Sequence, residues 1–227
     1  FTGSATYMLN CGIGLVLLLG IAIASFFIGD DIFAQAGFAD NGLMVFSTAI
    51  PLFLFFSTLT TTTSVSVSLE GHALWILKTA PVPTTTILSS KIAANLLLYL
   101  PAQLVATILL TIRFGLNVQY ALFLFLIPAA LGITTALGLI LNLAFPKLDY
   151  DNETRVIKQS MSVFLSTMIN ILLTIVFSVP LYVLLIPYAP FFTLLAFAYF
   201  LILGAVAALL CYILRSWGVK KFNVLPA

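Results

Sequence analysis

The sequence predicts an all-α, polytopic membrane helix bundle of six transmembrane helices, with both termini in the cytoplasm. Three observations predict it. Hydrophobic residues fill 62% of the 227 positions and charged residues 7%, with mean hydropathy +1.20. A soluble domain carries roughly 25% charged residues, so this chain cannot clothe a soluble surface. Six apolar runs each reach the ~20 residues that a helix needs to cross the hydrocarbon. Finally, eight of the nine basic residues fall on alternate connections and on the tail, which is the bias that orients membrane proteins.

The first run, 7–28, carries Gly12, Gly14 and Gly20 and leads into 29–42, which holds Asp30, Asp31 and Asp40 but no basic residue. The second, 43–63, is broken by Pro51 and leaves through the hydroxyl-rich 60–68, where side chains can bond back to a continuing helix. The connection 64–91 holds Lys78 and Lys91. Within it, 69–79 predicts about three helical turns, with Trp75 as a large amphipathic ring suited to an interface or a partner's pocket. Pro81 and Pro83 stop that helix. Thr84, Thr85 or Thr86 can cap the third run, with Lys91 near the phosphate level. The third run, 92–112, contains Pro101, and 113–119 holds only Arg113. The fourth, 120–145, contains Pro128, and 146–162 holds Lys147, Arg155 and Lys158. The fifth, 163–185, contains Pro180; 186–190 is short and uncharged. The sixth, 191–214, precedes a tail with Arg215, Lys220 and Lys221. No central turn holds a charge, which would cost roughly 2.5–3.5 kcal/mol there. This alternation places both termini, 64–91 and 146–162 on the cytoplasmic side.

Other classes fall away. A net charge of +2 gives a nucleic-acid partner no electrostatic support, and the alternation of an outer-membrane barrel is missing. Cys11 and Cys211 sit singly in apolar runs, with no disulfide or zinc spacing. The one histidine, His72, lies in a polar connection, and no HExxH, GxSxG or P-loop pattern occurs. No catalytic residue, metal site or cofactor is therefore expected. The acids of 149–153 interleave with Arg155 and Lys158 and read as a solvated, self-paired loop. Asn152-Glu153-Thr154 matches a glycosylation sequon by chance, since the topology keeps it inside. Asn95, Gln103, Asn142 and Asn170, with Thr134 and Thr135, are polar groups within runs that bond across helices. The pairs Gly20/Ala24, Gly132/Ala136 and Gly204/Ala208 predict close helix approach. No buried acid or lysine offers a proton relay, which counts against an ion-coupled carrier. The start at Phe1, with no basic n-region, reads as an excised part of a longer protein whose first run is a span.

Ser68-Leu69-Glu70-Gly71, then Trp75, then Leu77-Lys78-Thr79-Ala80-Pro81 resembles the S-x-E-G…W-x-L-K-x-x-P pattern of ABC-2-type transporter permease subunits. The likeness is greatest to longer bacterial ABC exporter permeases, with this chain as their C-terminal six-span half. Phe145-Pro146-Lys147-Leu148-Asp149, followed by Glu153, Val156, Lys158 and Gln159, is similar to a second cytoplasmic stretch of that family, and Tyr7-Met8-Leu9-Asn10 with Gly12-Ile13-Gly14 to its membrane entry. The resemblance implies a multi-pass plasma-membrane permease with ATP and Mg bound on a separate ATPase subunit. It implies a second six-span half or a homodimer partner. It also implies that Glu70, Gly71, Trp75, Lys78 and Pro81 couple to the ATPase, with Lys147, Asp149, Glu153, Arg155 and Lys158 on a companion loop. The other classes open at this point are a non-transporting scaffold or assembly protein and an ion-coupled carrier.

Overall fold

Backbone immersed in hydrocarbon has to satisfy its hydrogen bonds within its own segment, which makes helices of apolar runs. The computed structural model describes residues 5–35, 51–52, 55–56, 59, 62–114, 126–180 and 192–226, and every regular element among them is helical. In chain order these are α1 (Ala5–Ala24), α2 (Asp30–Gln35), α3 (Thr62–Val65), a 3-10 helix (Ser68–Ala73), α4 (Leu74–Thr79), α5 (Thr84–Phe114), α6 (Leu126–Ala144), α7 (Glu153–Gln159), α8 (Met161–Pro180), α9 (Phe192–Ile213), a π-helical turn (Leu214–Gly218) and α10 (Val219–Val224). Three stretches, Thr84–Phe114, Glu153–Val179 and Leu201–Val224, are long and apolar enough to cross a membrane, while Cys11–Ala24 and Ala129–Ala144 are shorter apolar helices. This fits a membrane protein. Most of the predicted 43–63 run, and the connections 115–125 and 181–191, lie outside the described residues.

Helix directions follow from named contacts. The Tyr99 hydroxyl donates to the Cys11 carbonyl. At the same interval further along both helices, Arg113 Nε donates to the Ser25 carbonyl at 2.9 Å, so α1 and α5 run side by side in one direction. Arg113 also reaches the Ile28 carbonyl at 3.1 Å and Asp30 at 2.5 Å. It thus closes the C-terminal end of α1, where a cation meets the negative end of the helix dipole. Helix α6 runs against α5: Asn95 meets Thr135 at mid-length, while Leu88 and Leu143 both face Gly218 at one end. Residues 62–68 lie along α6 in its own direction, with Thr63 against Gly138 and Ser68 against Asn142.

Among the described residues, Gly138 and Gly14 allow close approach to residues 56–64. A Cβ on Gly138 would sit 2.6 Å from Thr63 Oγ1, and one on Gly14 would strike the Phe56 carbonyl. Among the described residues a Cβ on Gly20, Gly132 or Gly204 would meet nothing within 4 Å, while Ala136, spaced four from Gly132, is buried in an apolar cluster. Spacing alone does not say which face of a helix meets a neighbour.

The start of α1, both polar connections and the chain's last turns gather at one end of the bundle. There Val67, Leu74, Leu88, Leu143, Leu214, Phe222 and Leu225 form one apolar cluster, and Cys11, Val65, Val156 and Ile157 another. The stretch read as a tail is helix that continues through the π turn into α10. Leu214, Gly218, Phe222 and Leu225 recur every three or four residues and bury one face of it. Helix α5 starts well ahead of the predicted 92, so Lys91 lies within it.

Candidate functional site

At that end the two polar connections form a single platform. Its centre is Asn142, buried near the end of α6. Asn142 Oδ1 accepts the backbone N–H groups of Val67 at 2.7 Å and Ser68 at 3.2 Å. Its amide donates to the hydroxyls of Ser68 at 2.7 Å and Ser162 at 3.3 Å. The Ser68 hydroxyl also accepts the Lys147 N–H at 3.0 Å, and Ser162 donates to the Ser64 carbonyl at 2.8 Å. One side chain thus joins the exits of two apolar runs to the start of α8. A second polar chain lies deeper: Thr62 donates to Asn95 Oδ1, and Asn95 donates to Thr135 at 2.6 Å. Amide groups in an apolar interior take such partners because leaving them unpaired costs the desolvation penalty in full.

The predicted helix over 69–79 is two pieces, not one. Gly71 interrupts it with φ 40°, ψ −117°, the one positive φ among the described residues. The departure buys proximity to the second connection. A Cβ on Gly71 would lie 2.9 Å from the Leu148 carbonyl and 3.0 Å from the Tyr150 ring, and Tyr150 donates to the Leu69 carbonyl at 2.6 Å. Burial first, then the charges of Glu153 and Glu70, push the Tyr150 phenol up, which keeps it a donor.

Glu70 pairs with Lys91. Lys91 is 10% exposed and reaches Glu70 and the Ser66 carbonyl, the latter at 3.1 Å. Burial raises the Glu70 carboxyl above its ordinary 4.5, and the Lys91 charge and hydrogen bond only partly offset it. The folded protein then holds this proton more tightly than the unfolded chain does. The stability contributed by this group is therefore full below the ordinary carboxylate range and is lost as pH rises through the folded value. We expect the unfolding temperature in detergent to fall over that window, and Glu70→Gln, which mimics the protonated acid, to remove the fall. An unchanged slope in the variant would assign it to other groups.

The remaining predicted residues divide. Leu74 is fully buried beneath α4, while Trp75 and Ile76 on the same helix are 54% and 53% exposed. Lys78 is bound to the chain end through the carbonyls of Asn223 (3.2 Å) and Leu225. Pro81 is exposed, and Ala80 before it is extended, as a residue preceding proline must be. Thr84, expected as a cap, bonds Asn223 Oδ1 at 2.9 Å. On the companion loop, Asp149, Glu153, Arg155 and Lys158 are exposed and Lys147 is half-buried. The expected self-pairing is not found: among the described residues the ion pairs are Lys91–Glu70 and Arg113–Asp30. Instead, Val156 and Ile157 anchor α7 in the core, and Asn152 caps it by accepting the Thr154 N–H at 2.9 Å.

One polar feature went unread in the sequence. Ser162, Ser166, Asn170, Thr174 and Ser178 recur every four residues along α8, all buried except the half-buried Thr174. Asn170 donates to Ser166 at 3.4 Å, but among the described residues Asn170 Oδ1 and Ser178 Oγ meet no hydrogen-bond partner. A test for polar residues at helical spacing would have found it; a search for charges does not. Among the described residues no group of acidic, histidine and cysteine side chains could hold a metal ion. Set against protein-family models, curated proteins and solved structures, the chain matches none of them.

Proposed function

We propose that this chain is the membrane-spanning permease domain of an ABC exporter in the plasma membrane. In this reading it has six spans and cytoplasmic termini, and it works beside a second six-span half or a homodimer partner. A separate ATPase subunit, carrying ATP and Mg, docks on the platform. The observation that carries the reading is apolar surface held out on a rigid base. Trp75 and Ile76, with Val82 and Phe145 at 44% and 46% exposure, project from an end otherwise rich in polar and charged groups. The base beneath them is fixed by Leu74, by the Gly71 approach and by the Glu70–Lys91 pair. An exposed aromatic among polar neighbours is the usual anchor of a protein interface. A push on α4 would reach α5 through Lys91, and α6 and α8 through Asn142 and Ser162. The hydroxyl and amide stripe on α8 supports a passage lined by neutral polar groups.

The test is to purify the full chain with a candidate ABC ATPase subunit and to measure assembly and ATP hydrolysis. Trp75→Ala is expected to weaken the complex by about tenfold or more, the usual cost of losing an aromatic anchor. Glu70→Lys, which sets two ammonium groups together, is expected to uncouple hydrolysis from transport. If both variants assemble and hydrolyse ATP as the parent does, the docking assignment is wrong.

A further inference from the structure

Between the first turns of α5 and the junction of α9 with the π turn lies a cleft of about 240 Å³. Its walls are apolar, with Ile92 and Leu96 on one side and Leu214 and Val219 on the other. Its polar groups stand at the platform end: the guanidinium of Arg215 and the hydroxyls of Thr85 and Ser89. An apolar cleft on a helix surface within a bilayer fills with hydrocarbon, since water gains nothing there.

The charged residue that lines it, Arg215, is a cation. Beyond Glu153 the sequence holds no acidic residue, and Arg215 is followed by Lys220 and Lys221. Among the described residues Arg215 forms no ion pair. Tyr212 and Trp217, both exposed, flank it, as aromatic side chains do at headgroup level. A guanidinium pairs bidentately with phosphate, and basic pockets between spans on the cytoplasmic side take anionic headgroups. We propose that this cleft holds one acyl chain of an anionic phospholipid from the leaflet beside the platform, with its phosphate on Arg215 and Thr85. The inference needs the bilayer but not the transport reading.

The chain carries its own probe. Cys211 lines the cleft and is exposed, whereas Cys11 is fully buried. Full chain in detergent is reacted with a maleimide, and labelling of Cys211 is followed by mass spectrometry. Phosphatidylglycerol and phosphatidylcholine of the same acyl chains are added in separate arms, and inorganic phosphate in a third. Phosphatidylglycerol is expected to slow labelling about fivefold more than phosphatidylcholine, the preference that one basic residue confers. Arg215→Gln is expected to remove the difference, and inorganic phosphate to have no effect. Native mass spectrometry, as a second readout, should show one retained phosphatidylglycerol on the parent and none on the variant; Thr85→Val replaces it if Arg215→Gln does not fold. Equal protection by both lipids, or a preference that survives in the variant, would overturn the proposal. So would protection by phosphate alone. Protection that rises with protein concentration and ignores lipid would give the cleft to a second copy of the chain, and would overturn it too.

Discussion

Gly71→Ala is expected to destabilise the protein by about 2–6 kcal/mol, adding backbone strain to overpacking. At φ 40°, ψ −117° an L side chain is strained whatever space surrounds it. Here there is no space, since the new Cβ would meet the Leu148 carbonyl at 2.9 Å and the Tyr150 ring at 3.0 Å. The carbonyl belongs to backbone and yields less than a flexible side chain. Unfolding in mixed micelles measures the loss. In a Tyr150→Ala background, which lacks the ring contacts and the Leu69 hydrogen bond but keeps the carbonyl and the dihedral, the cost of Gly71→Ala should fall only in part. Its full disappearance would show that the backbone is unstrained. Gly20→Ala supplies the control: among the described residues its Cβ meets nothing within 4 Å, and helix interiors favour alanine over glycine by about 0.5–1 kcal/mol. If both variants behave alike, the Gly71 conformation is not the one described.

The sequence made the helical class legible because apolar run length is a local property, and 5–24, 84–114, 161–180 and 192–213 lie close to four of the predicted runs. It also made the two polar connections legible as exceptions. What it hid was pairing. Glu70 and Lys91 lie far apart along the chain and meet only because α5 begins at Thr84, ahead of the hydropathy boundary, since a helix can run through threonines and serines that hydropathy leaves out. Gly71 looked like an ordinary helix residue, since a positive φ is set by what the backbone must approach, here Leu148. The last turns looked like a charged tail because Lys220 and Lys221 mask an apolar stripe ending in Phe222 and Leu225. Arg113 was read by its side of the membrane; that it would cap the end of α1 depends on two helices running in register, which no single stretch encodes.

The second large effect is expected at Asn142. Replacing it with leucine, close in volume, should cost about 2–6 kcal/mol, because two buried backbone N–H groups would each lose an acceptor at about 1–3 kcal/mol. Val67 and Ser68 sit where α3 has ended and the 3-10 helix begins, and among the described residues no backbone carbonyl accepts either N–H. Ser162 and Ser68 lose less, since the first keeps the Ser64 carbonyl and the second the Lys147 N–H. Hydrogen exchange should therefore accelerate at the Val67 and Ser68 amides before the rest of the platform. Asn170 offers the opposite case with the same side chain. It is as buried as Asn142, but among the described residues its Oδ1 has no partner and its amide makes one long bond, to Ser166. Asn170→Leu removes an uncompensated acceptor and should leave stability equal or higher. A protein keeps an unpaired buried amide at a cost, and on the proposed function that cost is offset by contact with the transported molecule. Asn170→Leu is then expected to fold well and to lose transport, while Asn142→Leu loses the fold itself. Equal destabilisation by both substitutions would make Asn170 a packing residue and remove the α8 stripe from the passage.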